Sequence, residues 1–134
     1  MGNYLRKKIY RLSSIHQILM EACMYHVIPR TNQDQRSNRT VLFEGAEYDT
    51  PISIFLVDNE PGQGPALHTH PYSETWIVRS GHAQFTVGLE TLDAAVGDII
   101  VVTAQTPHRF VNTGPDRLEL TCIHASERVI QTWI

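Results

Sequence analysis

Residues 62–81 read GQGPALHTHPYSETWIVRSG, and residues 97–112 read GDIIVVTAQTPHRFVN. Both are short runs of β-branched and aromatic residues between Gly and Pro breaks, the texture of strands. Residues i and i+2 of a strand share a face, about 7 Å apart, so His68 and His70 can converge on one ion. Glu74 follows with the same parity. Pro71 cannot donate to a ladder and marks a bend between them. His108 arrives from the second stretch, bracketed by Pro107 and Asn112. Three imidazoles and one carboxylate, without a thiolate, suit Mn, Fe, Ni, Cu or Zn and exclude a Cys-rich structural zinc site. Four protein ligands leave two positions of an octahedron open, as a catalytic site needs.

Outward from these motifs, the same texture runs from Thr40 to the last residue. Strands are expected near 40–44, 52–58, 66–70, 74–79, 83–88, 92–96, 98–102, 107–112, 117–125 and 128–133. Many short strands without intervening helices imply an all-β sandwich or barrel over residues 40–134. Before it, Leu5, Ile9, Leu12, Ile15, Leu19, Ala22 and Cys23 recur at three- and four-residue steps. That spacing predicts an amphipathic helix over 3–26, within an N-terminal extension of residues 1–30. The helix ends at Ile28-Pro29, and the polar segment 31–39 reads as a linker. Packing on the barrel or on a partner subunit is the plain reading of the helix; a presequence, or a true start at Met20 or Met24, is an alternative.

A chain of 134 residues fits one domain with a real core. Charge is uneven. Residues 1–30 hold five basic groups against Glu21, whereas residues 31–134 hold six basic and thirteen acidic ones. An acidic body argues against nucleic acid as partner, since phosphate contacts need clustered Lys and Arg. No apolar run reaches the ~20 residues of a membrane span. Cys23 and Cys122 do not suggest a disulfide framework, and Cys122 sits in a strand-like run as a small hydrophobe. A cytoplasmic setting, without membrane partners, is the expectation.

The two stretches resemble the motifs of the cupin family. Gly62, His68, His70, Glu74 and Gly81 fit every spacing of its first motif, and Gly97, His108 and Asn112 fit its second. Thr103 stands where that motif usually has Pro, and Gln105 where it usually has Gly; both are turn positions, so the departures bear on loop geometry. The resemblance covers roughly residues 40–125. It implies a double-stranded β-helix, or jelly-roll barrel, with one divalent transition metal inside (Mn, Fe, Ni, Cu or Zn) held by His68, His70, Glu74 and His108. It also implies a homodimer.

Trp76 and Phe110 lie two residues beyond Glu74 and His108 with the same parity. They are candidates for the walls of a substrate pocket, with core packing as the alternative. His124 is a further candidate for the pocket or for supporting the site, or else an ordinary strand histidine. Arg79 and Arg109 have the opposite parity and should point outward. Asn112 should cap a turn, glycines 62, 81, 88 and 97 should sit in turns, and Trp133 should be buried against a partner or the helix. The leading reading is a metal-dependent enzyme on a small organic substrate, of dioxygenase, isomerase, decarboxylase or lyase type, with Glu74 as a possible base. A non-catalytic module that binds or senses a small molecule is the alternative; a storage role is the least fitting.

Overall fold

A computed structural model describes residues 25–134. The helix expected over 3–26 falls, but for its last two residues, outside the described residues, as does Cys23. Contacts divide the chain into a unit over Met1–Gln33 and another over Asp34–Ile134. The described part of the first is an extended stretch closing on a 3-10 turn at Arg30–Asn32.

The second unit is built of eleven strands: β1 (Asp34–Gln35), β2 (Val41–Glu44), β3 (Ser53–Asn59), β4 (His68–Thr69), β5 (Glu74–Ser80), β6 (His82–Val87), β7 (Glu90–Ala95), β8 (Ile99–Val102), β9 (His108–Asn112), β10 (Leu118–His124) and β11 (Thr132–Trp133). They form two antiparallel sheets, ordered β1-β2-β3-β10-β5-β8 and β11-β4-β9-β6-β7. This is the expected all-β jelly roll, with the inner faces of both sheets making the core. No helix among the described residues is long and apolar enough to cross a membrane.

Alternation decides what lies inside. In β5, Glu74, Trp76 and Val78 are buried; in β10, Leu118, Leu120, Cys122 and His124; in β9, His108, Phe110 and Asn112. Register lines these up: His124 faces Glu74, Cys122 faces Trp76 and Leu120 faces Val78 across β10 and β5. His68 faces His108 across β4 and β9. The inward histidines and Glu74 therefore collect at one end of the barrel, and apolar side chains fill its middle. Trp76, Phe85, Val78, Leu118, Leu120 and Val102 are the body of that core. Arg79 and Arg109 are exposed, as their parity predicts. The outer face of the larger sheet carries a stripe without a charged side chain, in which Leu56, Thr121, Ile77 and Ile99 share one row and Ile54, Ile123, Thr75 and Val101 the next.

The turns follow the local chemistry. Gly62, Gly81, Gly88 and Gly97 all have positive φ. At Gly81, φ is +81° and a Cβ would meet the Arg117 carbonyl oxygen at 2.4 Å, so only glycine fits. Gln105, where the family usually has glycine, adopts φ 63°; the turn keeps its left-handed shape despite the departure, at a cost of ~1 kcal/mol. Asn112 caps as expected: its amide donates to the Asn59 and Asp116 carbonyls, and its Oδ1 accepts from Gly114 N–H.

Three expectations need correction. The segment 128–133 is a strand only at Thr132–Trp133, because the backbone before it bonds to side chains: Val129 N–H to Glu44 and Ile130 N–H to Tyr72. The 66–70 strand shrinks to His68–Thr69, which pairs with β9 at a single position and with β11 at two. Trp133, expected to pack against a partner or the N-terminal helix, is 61% exposed among the described residues; its ring lies 5.4 Å from the His68 ring. A strand also forms at Asp34–Gln35, inside the segment read as a linker, where it pairs with β2.

Candidate metal centre

His68, His70, Glu74 and His108 are all buried, and their potential ligand atoms lie within 4.8 Å of one another. Ligands ~2.1 Å from a metal lie about 3–4 Å apart, so the set can close on an ion with small side-chain movements. Glu74 comes from the larger sheet, His68 and His108 from the smaller one, and His70 from the short connection between β4 and β5. The site therefore exists only where the two sheets face each other.

The hydrogen bonds behind these side chains decide what each presents to the centre. Nδ1 of His68 bonds the Ala66 carbonyl, Nδ1 of His70 the Ile130 carbonyl and Nδ1 of His108 the Thr106 carbonyl, each at 2.7 Å. A carbonyl can only accept, so each Nδ1 carries the proton and each Nε2 offers a lone pair. This is the outer-shell arrangement that fixes a metal-binding imidazole. Oε2 of Glu74 lies 3.1 Å from His70 Nε2 and 2.9 Å from His108 Nε2. Acceptors this close need a cation between them, either a proton or a metal ion. The chemistry of the donor set thus fits a divalent transition metal.

Electrostatics point the same way. Burial alone would raise the Glu74 carboxyl, but hydrogen bonds with His108, His124 and His70, in the metal-free protein with a proton between ring and oxygen, outweigh it and hold it well below the usual carboxylate range. Burial, with the His108 and His70 rings adding to it, lowers His68 from 6.5 to about 4. His68 is therefore neutral in the folded protein at ordinary pH. The sign follows: its contribution to stability is complete above 6.5 and is lost as pH falls from 6.5 to about 4, because the unfolded ring takes up a proton there and the folded one does not. Urea melts of the metal-free protein and of His68→Asn across that range are expected to diverge, the wild type losing more stability. Parallel curves would contradict the assignment.

The other candidates are placed as follows. Trp76 and Phe110 belong to the core cluster, with ring centroids 5.8 Å apart, and Trp76 also sits 5.4 Å from the His108 ring. Trp76 does a polar job as well: its Nε1–H donates to Glu74 Oε1 at 2.6 Å. His124 is buried with Nε2 3.2 Å from the same oxygen, and the partly buried Phe55 lies 5.3 Å from its ring. Two contributors went unread in the sequence. Tyr72 stacks on His70 at 5.0 Å and bonds His124 Nδ1 at 3.0 Å; its parity with His70 and Glu74 was the available signal. Ile130 contributes only backbone groups, which no side-chain pattern reveals.

Comparison with known proteins agrees with this geometry. The family model described as Cupin domain matches residues 55–124. An uncharacterized protein of Streptomyces coelicolor is 32% identical over 65 residues, 48% of this chain and 62% of that protein. Among solved structures, a variant of Bacillus subtilis oxalate decarboxylase superposes with TM-score 0.66 at 22% identity, covering 76% of this chain and 29% of that one. A structure from work on the Mn(II) centres of the same Bacillus subtilis enzyme gives TM-score 0.71 at 20% identity, covering 92% and 37%. The formate complex of Lactobacillus farciminis oxalate decarboxylase gives 0.63 at 22%, covering 75% and 32%. The chain thus spans about three fifths of the curated relative and about a third of the oxalate decarboxylases. At these identities the structural likeness speaks for the fold.

Proposed function

The chain belongs to the cupin family, and from that premise we propose that it is a metal-dependent enzyme acting on a small organic substrate inside the barrel. His68, His70, Glu74 and His108 hold one divalent transition metal. The observation that carries the reading is the tethering of all three Nδ1–H groups to backbone carbonyls, which aims three lone pairs at one point. Four protein ligands leave room for two further ligand atoms, such as a pair of substrate oxygens. The bound ion would supply Lewis-acid polarisation, or redox chemistry if it is iron or copper.

The chain's own residues do the rest. Glu74 is the buried carboxylate of the site, and a carboxylate there can take or return a proton. Trp76 and Phe110 form an apolar wall behind His108 and exclude water from that side. Small carboxylic acids are the substrate class to try first, since the structurally similar decarboxylases act on oxalate, and a carboxylate offers two oxygens to one ion. The reaction is of dioxygenase, isomerase, decarboxylase or lyase type.

One observation keeps the non-catalytic reading alive. Among the described residues, the fully buried ionisable groups other than Cys122 are His68, His70, Glu74, His108 and His124, so an acid–base partner outside the ligand set comes down to His124 and the partly buried Tyr72 beside it. The test is incubation of the protein, loaded in turn with Mn, Fe, Co, Ni, Cu and Zn, with a panel of small carboxylic acids, with and without oxygen. Product detected by NMR and abolished in Glu74→Gln supports the enzyme. Saturable binding without product under any metal supports the binding module.

A further inference from the structure

The two oxygens of Glu74 live in different surroundings. Oε1 accepts from Trp76 Nε1–H at 2.6 Å and lies 3.2 Å from His124 Nε2. Oε2 faces the Nε2 atoms of His70 and His108. Four imidazoles thus surround one carboxylate, but they cannot all present the same atom. Three are fixed by carbonyls with the lone pair inward.

His124 differs from these three: behind its ring stands the Tyr72 hydroxyl, which can donate, in place of a carbonyl, which can only accept. Ile130 N–H donates to the Tyr72 hydroxyl oxygen at 3.0 Å. The Tyr72 hydroxyl proton is then free to be donated to His124 Nδ1, 3.0 Å away. With Nδ1 accepting, the ring proton sits on Nε2 and points at Glu74 Oε1. Trp76 and His124 together fill the acceptor capacity of Oε1 and leave Oε2 as the oxygen open to a cation.

The backbone of one residue sets both outcomes. The Ile130 carbonyl holds His70 with its lone pair inward, and the Ile130 N–H, through Tyr72, holds His124 with its N–H inward. Neighbouring bonds fasten this segment to the barrel: Val129 N–H to Glu44, Ile134 N–H to the Leu67 carbonyl, and β11 against β4.

We propose that Tyr72 and His124 are positioning residues, which relay the Ile130 backbone to Glu74 so that His124 serves as a hydrogen-bond donor to Oε1 and Oε2 alone faces the metal. The proposal rests on the reading of Glu74 as a metal ligand. It makes the C-terminal segment part of the site, although that segment contributes no ligand.

The experiment uses full-length protein labelled with 15N-histidine, metal-free and zinc-loaded, at about pH 8, above the ordinary imidazole range. The expected ring signals show His124 protonated on Nε2 and unshifted as a ligand by zinc. They show His68, His70 and His108 protonated on Nδ1, each with an Nε2 that moves on zinc binding. Competition against a chromophoric chelator is expected to show zinc affinity reduced roughly 10-fold in Tyr72→Phe and in His124→Met, and kept within about threefold in His124→Gln, whose amide can donate from a similar place. Thermal melts check that each variant is folded. A proton on His124 Nδ1, a zinc-bound His124, or wild-type affinity in both Tyr72→Phe and His124→Met overturns the proposal. Failure of the wild type to take up zinc or any other divalent metal overturns the metal reading instead, and the His124 tautomer in the metal-free protein then decides the relay by itself.

Discussion

Replacing His68 and His108 together with alanine is expected to drop bound metal from about one ion per chain to near zero. The two residues pair across β4 and β9, so the double variant removes the smaller sheet's whole contribution to the centre. His70 and Glu74 that remain are too few to hold a transition metal against buffer, and they lose the geometry that made them selective. The same loss is readable as stability. A ligand at 100 times its dissociation constant stabilises the fold by about 2.7 kcal/mol, which for a domain of this size is a Tm increase of roughly 10 °C or more. Wild-type protein stripped by chelator should regain that increase on adding metal, and the double variant should show none of it. Elemental analysis and thermal melts check both halves. A double variant that still carries stoichiometric metal, or a wild type whose melt ignores every divalent ion, would remove the metal centre from the account of this protein.

Trp76→Ala is expected to be the most destabilising single truncation in the barrel. Trp76 is fully buried, its ring centroid 4.8 Å from that of Phe85 in a tilted contact and 5.8 Å from that of Phe110 edge-to-face. Truncating an aromatic of this size leaves a cavity and costs about 3–5 kcal/mol. That is a large share of the 5–15 kcal/mol typical of a whole domain. The indole also donates to Glu74 Oε1, so Trp76→Phe separates the two roles. It keeps most of the packing and loses a hydrogen bond to a charged group, worth about 1.5–3 kcal/mol. Urea unfolding is expected to rank wild type above Trp76→Phe and Trp76→Phe above Trp76→Ala. Metal affinity should already fall in the phenylalanine variant. An unchanged affinity there would mean that the indole N–H does nothing for the carboxylate.

The parts of this fold legible in the sequence are those governed by short-range rules. Period-two alternation placed Glu74, Trp76 and Val78 inward and Arg79 outward, because successive strand residues must face opposite sides. Glycines at 62, 81, 88 and 97 marked turns, because positive φ is costly for other residues. Parity also put His68, His70 and Glu74 on one face, whereas the arrival of His108 beside them from another strand was implied by the resemblance of both motifs to the cupin family. The errors fall where the backbone bonds to side chains instead of to another strand. Nothing in the composition of residues 128–133 says that Val129 and Ile130 give up a ladder to bond Glu44 and Tyr72.

By itself, then, the sequence determined the fold class, the inward face of each long strand and the residue types at the centre. Only the tertiary structure decided what those residues present to one another. The inward lone pairs of His68, His70 and His108, the inward N–H of His124 and the unequal oxygens of Glu74 depend on bonds from Ala66, Thr106, Tyr72, Trp76 and Ile130. The physical reason is that an imidazole is the same residue in either tautomer. Which nitrogen carries the proton is set by the partner behind the ring, and for His70 that partner is a carbonyl 60 residues away.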